Sequence, residues 1–173
     1  MQKIKYLVCF VFLMPLIGCE KLPNGFPSLY SAAITVTQEG TPLTDADVML
    51  YSIDDPTMRW IIVGRTDANG KAVMTTFAGT TIRKNGVPAG KFKVTVNKVK
   101  TDEYPVLSPF AADAEIAAYR KEMEKLKPLT HYYVDKQNTN IDTTPLEVTV
   151  EKKTNSLTVD AGKKTEWTVP VQY

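Results

Sequence analysis

Polar and apolar residues alternate with period two along most of the chain. In "AAITVTQ", Ile34 and Val36 alternate with Thr35 and Thr37; in "GKFKVTVNK", Phe92, Val94 and Val96 alternate with Lys91, Lys93, Thr95 and Asn97. The same pattern sets Leu146, Val148 and Val150 on one side of "PLEVTVEK", and Trp167, Val169 and Val171 on one side of "KTEWTVPVQY". Each predicts a half-buried strand with one core face and one wet face, and it assigns Trp167 to the core. "DADVMLYSI" and "RWIIVGRT" are apolar on both sides, Met49, Tyr51 and Ile53 opposite Val48 and Leu50, and Trp60 and Ile62 opposite Ile61 and Val63. Two strands covered on both faces are expected there.

One segment follows helical spacing instead. "LSPFAADAEIAAYRKEMEKLKP" places Ile116, Tyr119, Met123 and Leu126 on one stripe, with Ser108 as the expected N-cap, Pro109 in the first turn and Pro128 as the stop. A helix over about residues 109–127 is expected in a long connection, packed on the sheet that carries Trp60 or Tyr51. A stripe of this composition suits packing better than a cofactor or partner site.

The N-terminal pattern is different again. Lys3 and Lys5 precede an uncharged apolar run from Tyr6 to Ile17, which ends at Gly18 and Cys19. A basic head, a short apolar body and a small residue make a secretory signal. The body is well short of the roughly 20 residues that a permanent transmembrane helix needs. A cysteine there has several readings: nucleophile, metal ligand, half of a disulfide, or an accident beside an ordinary signal. Leu16, Ile17, Gly18 and Cys19 resemble the lipobox of bacterial lipoproteins. That resemblance implies cleavage after residue 18 and a diacylglyceryl thioether on Cys19, followed by further acylation with chains such as palmitate. Cys9, the other of the two cysteines, leaves with the signal, so no free thiol and no disulfide framework remain. Two or more acyl chains suffice for stable anchoring. The expected organisation is a signal over 1–18, a lipidated cysteine and spacer over 19–29, and one domain over 30–173.

Charge removes one class of function. Loss of the signal deletes two of 21 Lys+Arg, leaving 19 against 19 Asp+Glu. A neutral chain without a basic stripe does not look like a nucleic-acid binder.

The turns carry a second resemblance. "GTPLTDADVMLY", "GRTDANGKAVMTTF" and "GVPAGKFKVTV" strongly resemble the carboxypeptidase regulatory-like or transthyretin-like β-sandwich family, in a Gly-x-Pro turn before an Ala-x-Val strand, a Gly-x-Thr-Asp-x-x-Gly hairpin and a Pro-x-Gly-x-aromatic strand start. These elements span residues 40–96. The resemblance implies a mainly β fold, a seven- to eight-stranded Greek-key sandwich with the amphipathic helix inserted. The helix, Tyr133 and the run Thr143, Thr144, Pro145, Leu146 are similar to small envelope lipoproteins of planctomycetes and related bacteria, a group from which no activity transfers.

Candidate chemistry is sparse. His131 is the single histidine, so a two-histidine metal site is unavailable, and no Gly-x-Ser-x-Gly motif accompanies it. The hydrolase branch of the transthyretin-like fold relies on several histidines and a Tyr-Arg-Gly-Ser-type terminus, whereas this chain ends "WTVPVQY". Asp67, Asn69 and Gly70 offer oxygens for calcium, but Lys71, Ala72 and Val73 follow where further ligands are needed, which favours a hairpin turn. A Lys-to-Asn isopeptide of the pilin kind lacks its lysine in "AAITVTQ" and its asparagine in the last strand. Trp60, Tyr132 and Tyr133 remain as a possible stacking surface for a ligand, with Tyr132 and Tyr133 expected in a loop. The expectation is a non-catalytic module with no cofactor beyond its lipid, anchored in a bacterial membrane at the periplasmic or outer face, with an envelope protein or a polysaccharide as partner. Glu20 is not the aspartate that retains some lipoproteins at the inner membrane. The alternative is a carbohydrate- or peptide-binding lipoprotein that uses those aromatics.

Overall fold

The alternating segments become strands of two facing sheets in the computed structural model, which describes residues 22–172. The expected signal over 1–18 and the candidate lipidation site Cys19 lie outside the described residues. In chain order the strands are β1 (Leu29–Tyr30), β2 (Ala32–Gln38), β3 (Thr41–Pro42), β4 (Asp47–Ser52), β5 (Ile61–Arg65), β6 (Lys71–Val73), β7 (Thr75–Ala78) and β8 (Ile82–Asn85). They continue with β9 (Val87–Pro88), β10 (Gly90–Asn97), β11 (Val99–Thr101), β12 (Leu129–Tyr132), β13 (Glu147–Val150), β14 (Asn155–Asp160) and β15 (Trp167–Pro170), with helix α1 (Asp113–Leu126) between β11 and β12. These are more pieces than the seven or eight expected, because β1, β3 and β9 are two-residue pairings and two strands break where the chain changes sheet.

The larger sheet is antiparallel, in the order β13, β10, β4, β5, β7, β8. The second is built on β2, which pairs with β14 in parallel and with β3 and β6 antiparallel. Their inner faces share one core: Ile34 and Val36 from β2, Val48 and Leu50 from β4, Ile62 from β5, and Phe92, Val94 and Val96 from β10. The fold is thus mainly β, two sheets packed face to face with one helix outside them. The chain passes from one sheet to the other at Met74, which is fully buried. Its N–H donates to the Ala32 carbonyl and its own carbonyl accepts the Gly86 N–H. Gly64 makes room for this crossing, since a Cβ there would lie 2.8 Å from the Met74 sulfur and 2.9 Å from the Val73 carbonyl oxygen.

The register sorts the loops between two ends. Phe92 pairs with Ser52 and Asn97 with Asp47, while Asp47 also pairs with Arg65. The β4 to β5 connection therefore lies at one end, with Gly90; the 66–71 turn and β11 lie at the other. The spacer is seated at the first end, where the Asn24 carbonyl accepts the Arg59 guanidinium and β1 pairs with β9. A third, three-stranded sheet of β11, β12 and β15 extends the far end.

Several expectations change. β4 and β5 are covered on one side only: Val48, Leu50 and Ile62 are buried, whereas Met49, Tyr51 and Val63 are half-buried and Ile61 is 54% exposed. Among the described residues no second layer covers that outer face. α1 begins at Asp113 instead of Pro109, because the Glu115 carboxylate accepts the Ala112 N–H and caps the helix there, while Ser108 closes a separate turn. Of its apolar stripe only Met123 is buried, and no described strand makes an extended contact with the helix. It does not pack on the sheet of Trp60 and Tyr51, since it leaves from β11 at the far end. Trp167 is half-buried on the small sheet and lies outside the shared core.

The "TDANGKAV" hairpin forms as expected. The Asp67 carboxylate accepts the N–H groups of Asn69 and Lys71 at 2.8 and 2.9 Å, and Gly70 takes φ of 71°. A Cβ at Gly70 would stand 2.7 Å from the Val36 carbonyl oxygen, while one at Gly79, with φ of 67°, would meet nothing within 4 Å. Positive φ strains an alanine at either site by about 1–3 kcal/mol. Gly70→Ala is therefore expected to lower stability to chemical denaturation more than Gly79→Ala; equal losses would show that the close approach has no effect.

Candidate functional site

The three aromatic candidates do not form one platform. Trp60 precedes β5 at the spacer end, where Phe26 meets it edge-on at 5.2 Å and the Arg59 guanidinium lies 4.6 Å from its ring centre. Tyr132 closes β12 at the other end, in a strand and not in the loop expected. Its ring stacks on Trp167 with centroids 3.9 Å apart and planes 9° from parallel. The Trp167 indole N–H donates to the Val134 carbonyl, and the Lys136 ammonium stands 5.5 Å from the ring centre. Tyr133 is half-buried; its N–H donates to Lys98 and its carbonyl accepts the Gln38 side-chain amide. Backbone pairing explains this separation: Tyr132 lies opposite Trp167 in register, and alternation turns Tyr133 away from that pair.

His131 precedes Tyr132 in β12, so alternation sets it on the opposite face of the small sheet from the stack. Its Nε2 lies 3.1 Å from Asp102 Oδ1 and its Nδ1 lies 3.3 Å from Glu166 Oε1, so both ring nitrogens face carboxylates. The other Asp102 oxygen accepts the Leu129 N–H at 2.9 Å. That backbone bond, foremost, and His131 beside it hold the Asp102 carboxyl below the ordinary aspartate range, against the opposing effect of desolvation. The three side chains join β12 to its neighbours: His131 lies on β12, Asp102 follows β11 and Glu166 precedes β15. Asp67 is lowered likewise, by the Lys71 and Asn69 N–H groups of its turn, so its oxygens are taken up by the hairpin. Among the described residues no cluster of three or more His, Cys, Asp or Glu is placed to hold a metal ion.

The concave feature that sequence reasoning missed lies on the uncovered face of the large sheet. Met49, Val63, Val73 and Phe77 line a cleft of about 710 Å³, with Arg65 and Arg83 at its rim. Arg65 pairs with Asp47 at 3.6 Å, and the Arg83 guanidinium lies 5.8 Å from the Phe77 ring centre. The signal for it was present in the apolar Met49 and Val63, which were assigned to a buried second face. No family model, curated protein or solved structure matches the chain.

The Asp102 contacts predict a local acid response. A depressed carboxyl stabilises its contacts throughout the range above the ordinary aspartate value, and this stabilisation is lost as pH falls through the lowered value. The Leu129 amide resonance is expected to titrate with a midpoint below the ordinary aspartate range, and Asp102→Asn should abolish that titration. A midpoint at or above the ordinary value would contradict the arrangement.

Proposed function

We propose that the protein is a lipid-tethered, non-catalytic β-sandwich of the carboxypeptidase regulatory-like or transthyretin-like kind, which serves as a structural or protein-interaction module on a bacterial envelope. Its anchor is the diacylglyceryl thioether on Cys19. The observation that carries the reading is the seating of the spacer: from Asn24, five residues after the lipobox cysteine, the chain is held to the domain by Arg59, Trp60 and the β1 to β9 pairing. The opposite end then projects away from the anchor, and there the connection after β11 exposes Val106 and Phe110 at 90% and 94%. Apolar side chains so exposed fit a surface that meets another protein.

A ligand-binding reading has one observation in its favour, the cleft over Phe77. Its aromatic ring and flanking Arg83 suit a peptide or sugar better than the Tyr132 and Trp167 pair, whose facing sides are closed by their own stack. On that reading Phe77→Ala would weaken saturable binding of a peptide or glycan at least as far as Tyr132→Ala does.

The tether is tested by Cys19→Ala. The wild-type chain should take up labelled palmitate and fractionate with membranes, and the variant should do neither. Membrane retention of an unlabelled variant would remove the lipid anchor from the proposal.

A further inference from the structure

The residues around the spacer form a surface with its own chemistry. Leu22, Ile53, Ile61 and Ile141 are exposed by 43, 38, 54 and 38%. All four belong to one end. Leu22 lies two residues before Asn24, whose carbonyl Arg59 holds; Ile53 and Ile61 flank the connection between β4 and β5; and Ile141 shares a small pocket with Pro56, Met58 and Trp60. Trp60 and Arg59 lie among them. An indole beside a guanidinium on an apolar rim is the composition of a surface placed between acyl chains and water, where the ring and the aliphatic stem sit in apolar surroundings and the charge reaches the headgroups.

The geometry points to this end of the domain as a membrane-contact face, seated on the headgroup layer of the bilayer that holds the Cys19 lipid; the inference rests on the tethered reading above. The length of chain carries it. Three residue steps separate Cys19 from Leu22, and extended chain spans at most about 3.3–3.6 Å per residue, so no more than about 11 Å of backbone separates the lipid-bearing residue from the rim. From Asn24 onward the chain is fastened to the rim itself. A domain held so closely presents its spacer end to the lipid and its β11 to β12 end to the surroundings. The two carboxylates in the near loop are engaged with backbone: Asp54 accepts the Lys91 N–H at 2.8 Å and Asp55 accepts the Thr57 N–H at 3.0 Å.

The test uses the full lipidated protein, reconstituted in vesicles of a zwitterionic phospholipid with a minor anionic component. With Cys9 removed and Cys19 acylated, an introduced cysteine is the single free thiol. Ile141→Cys marks the near end and Phe110→Cys the far end, both at exposed positions, so neither change disturbs the core. Each variant carries a spin label, read against a relaxation agent confined to the headgroup layer, while flotation of the vesicles reports anchoring separately. The expected result is flotation of both, strong relaxation of the label at 141 and none at 110. A second reading uses the two tryptophans: in Trp167→Phe protein the Trp60 emission should be quenched by headgroup-labelled lipid, and in Trp60→Phe protein the Trp167 emission should not. Flotation with both labels in water, or with relaxation at 110 instead, overturns the contact face and leaves the tether intact; such a rim would then belong to a protein partner. Failure to float overturns the tethered reading and the contact face together.

Discussion

The arrangement of this domain depends on the passage of residues 71–78 from one sheet to the other at Met74. β6 pairs with β2 and β7 pairs with β5, and the side chain between them is fully buried at the join. Burying a methionine stabilises by about 1.5–3 kcal/mol, but the geometric consequence is larger than that figure. The crossing brings the sheets into one core, requires the missing side chain of Gly64, and brings the hairpin turn at Gly70 against the Val36 carbonyl. It also makes the cleft, because Val73 on the departing strand and Met49, Val63 and Phe77 on the remaining sheet become its walls.

The same antiparallel register makes the domain directional. Strands running between two ends put the spacer, Arg59 and Trp60 at one, and the small sheet, its Tyr132 and Trp167 stack and α1 at the other. On the proposed tethered reading, a short tether would convert that internal direction into an orientation relative to a membrane. Several of the exposed apolar residues divide between these ends, Leu22, Ile53, Ile61 and Ile141 at the spacer end and Val106 and Phe110 at the other. The cleft opens on the side of the sandwich, between them.

Period-two alternation was a sound guide to the core faces of β2, β10 and β13, although Thr95, on the face of β10 expected to be wet, is buried as well. Ile34 and Val36, and Phe92, Val94 and Val96, are fully buried where the pattern placed them, and Val148 and Val150 follow. Alternation fails for β4 and β5, where apolar residues on both sides predict two covering layers and only one face is buried. Burial of a second face needs another element to lie on it, and α1, the expected cover, leaves from the wrong end. The helix stripe was legible for the same reason that its destination was not: spacing is a local property, while the place where a connection packs follows from the register of strands far away in sequence. Trp60 illustrates the limit for the candidate site. It was singled out as an aromatic able to stack on a ligand, but Phe26, some thirty residues earlier, meets the ring edge-on.

What the sequence determined by itself was local: which segments extend, where the Asp67 and Gly70 hairpin turns, that one helix forms, and that the chain carries a lipobox-like cysteine. These follow from side-chain alternation, backbone freedom and short-range hydrogen bonds, all contained within about ten residues. Only the tertiary structure decided that Tyr132 meets Trp167, that His131 lies between Asp102 and Glu166, that the outer face of β4 and β5 stays open, and that the spacer is fastened beside Trp60. Each of these joins residues brought together by strand pairing across long stretches of chain, and no local preference specifies such a pairing before the shared core forms.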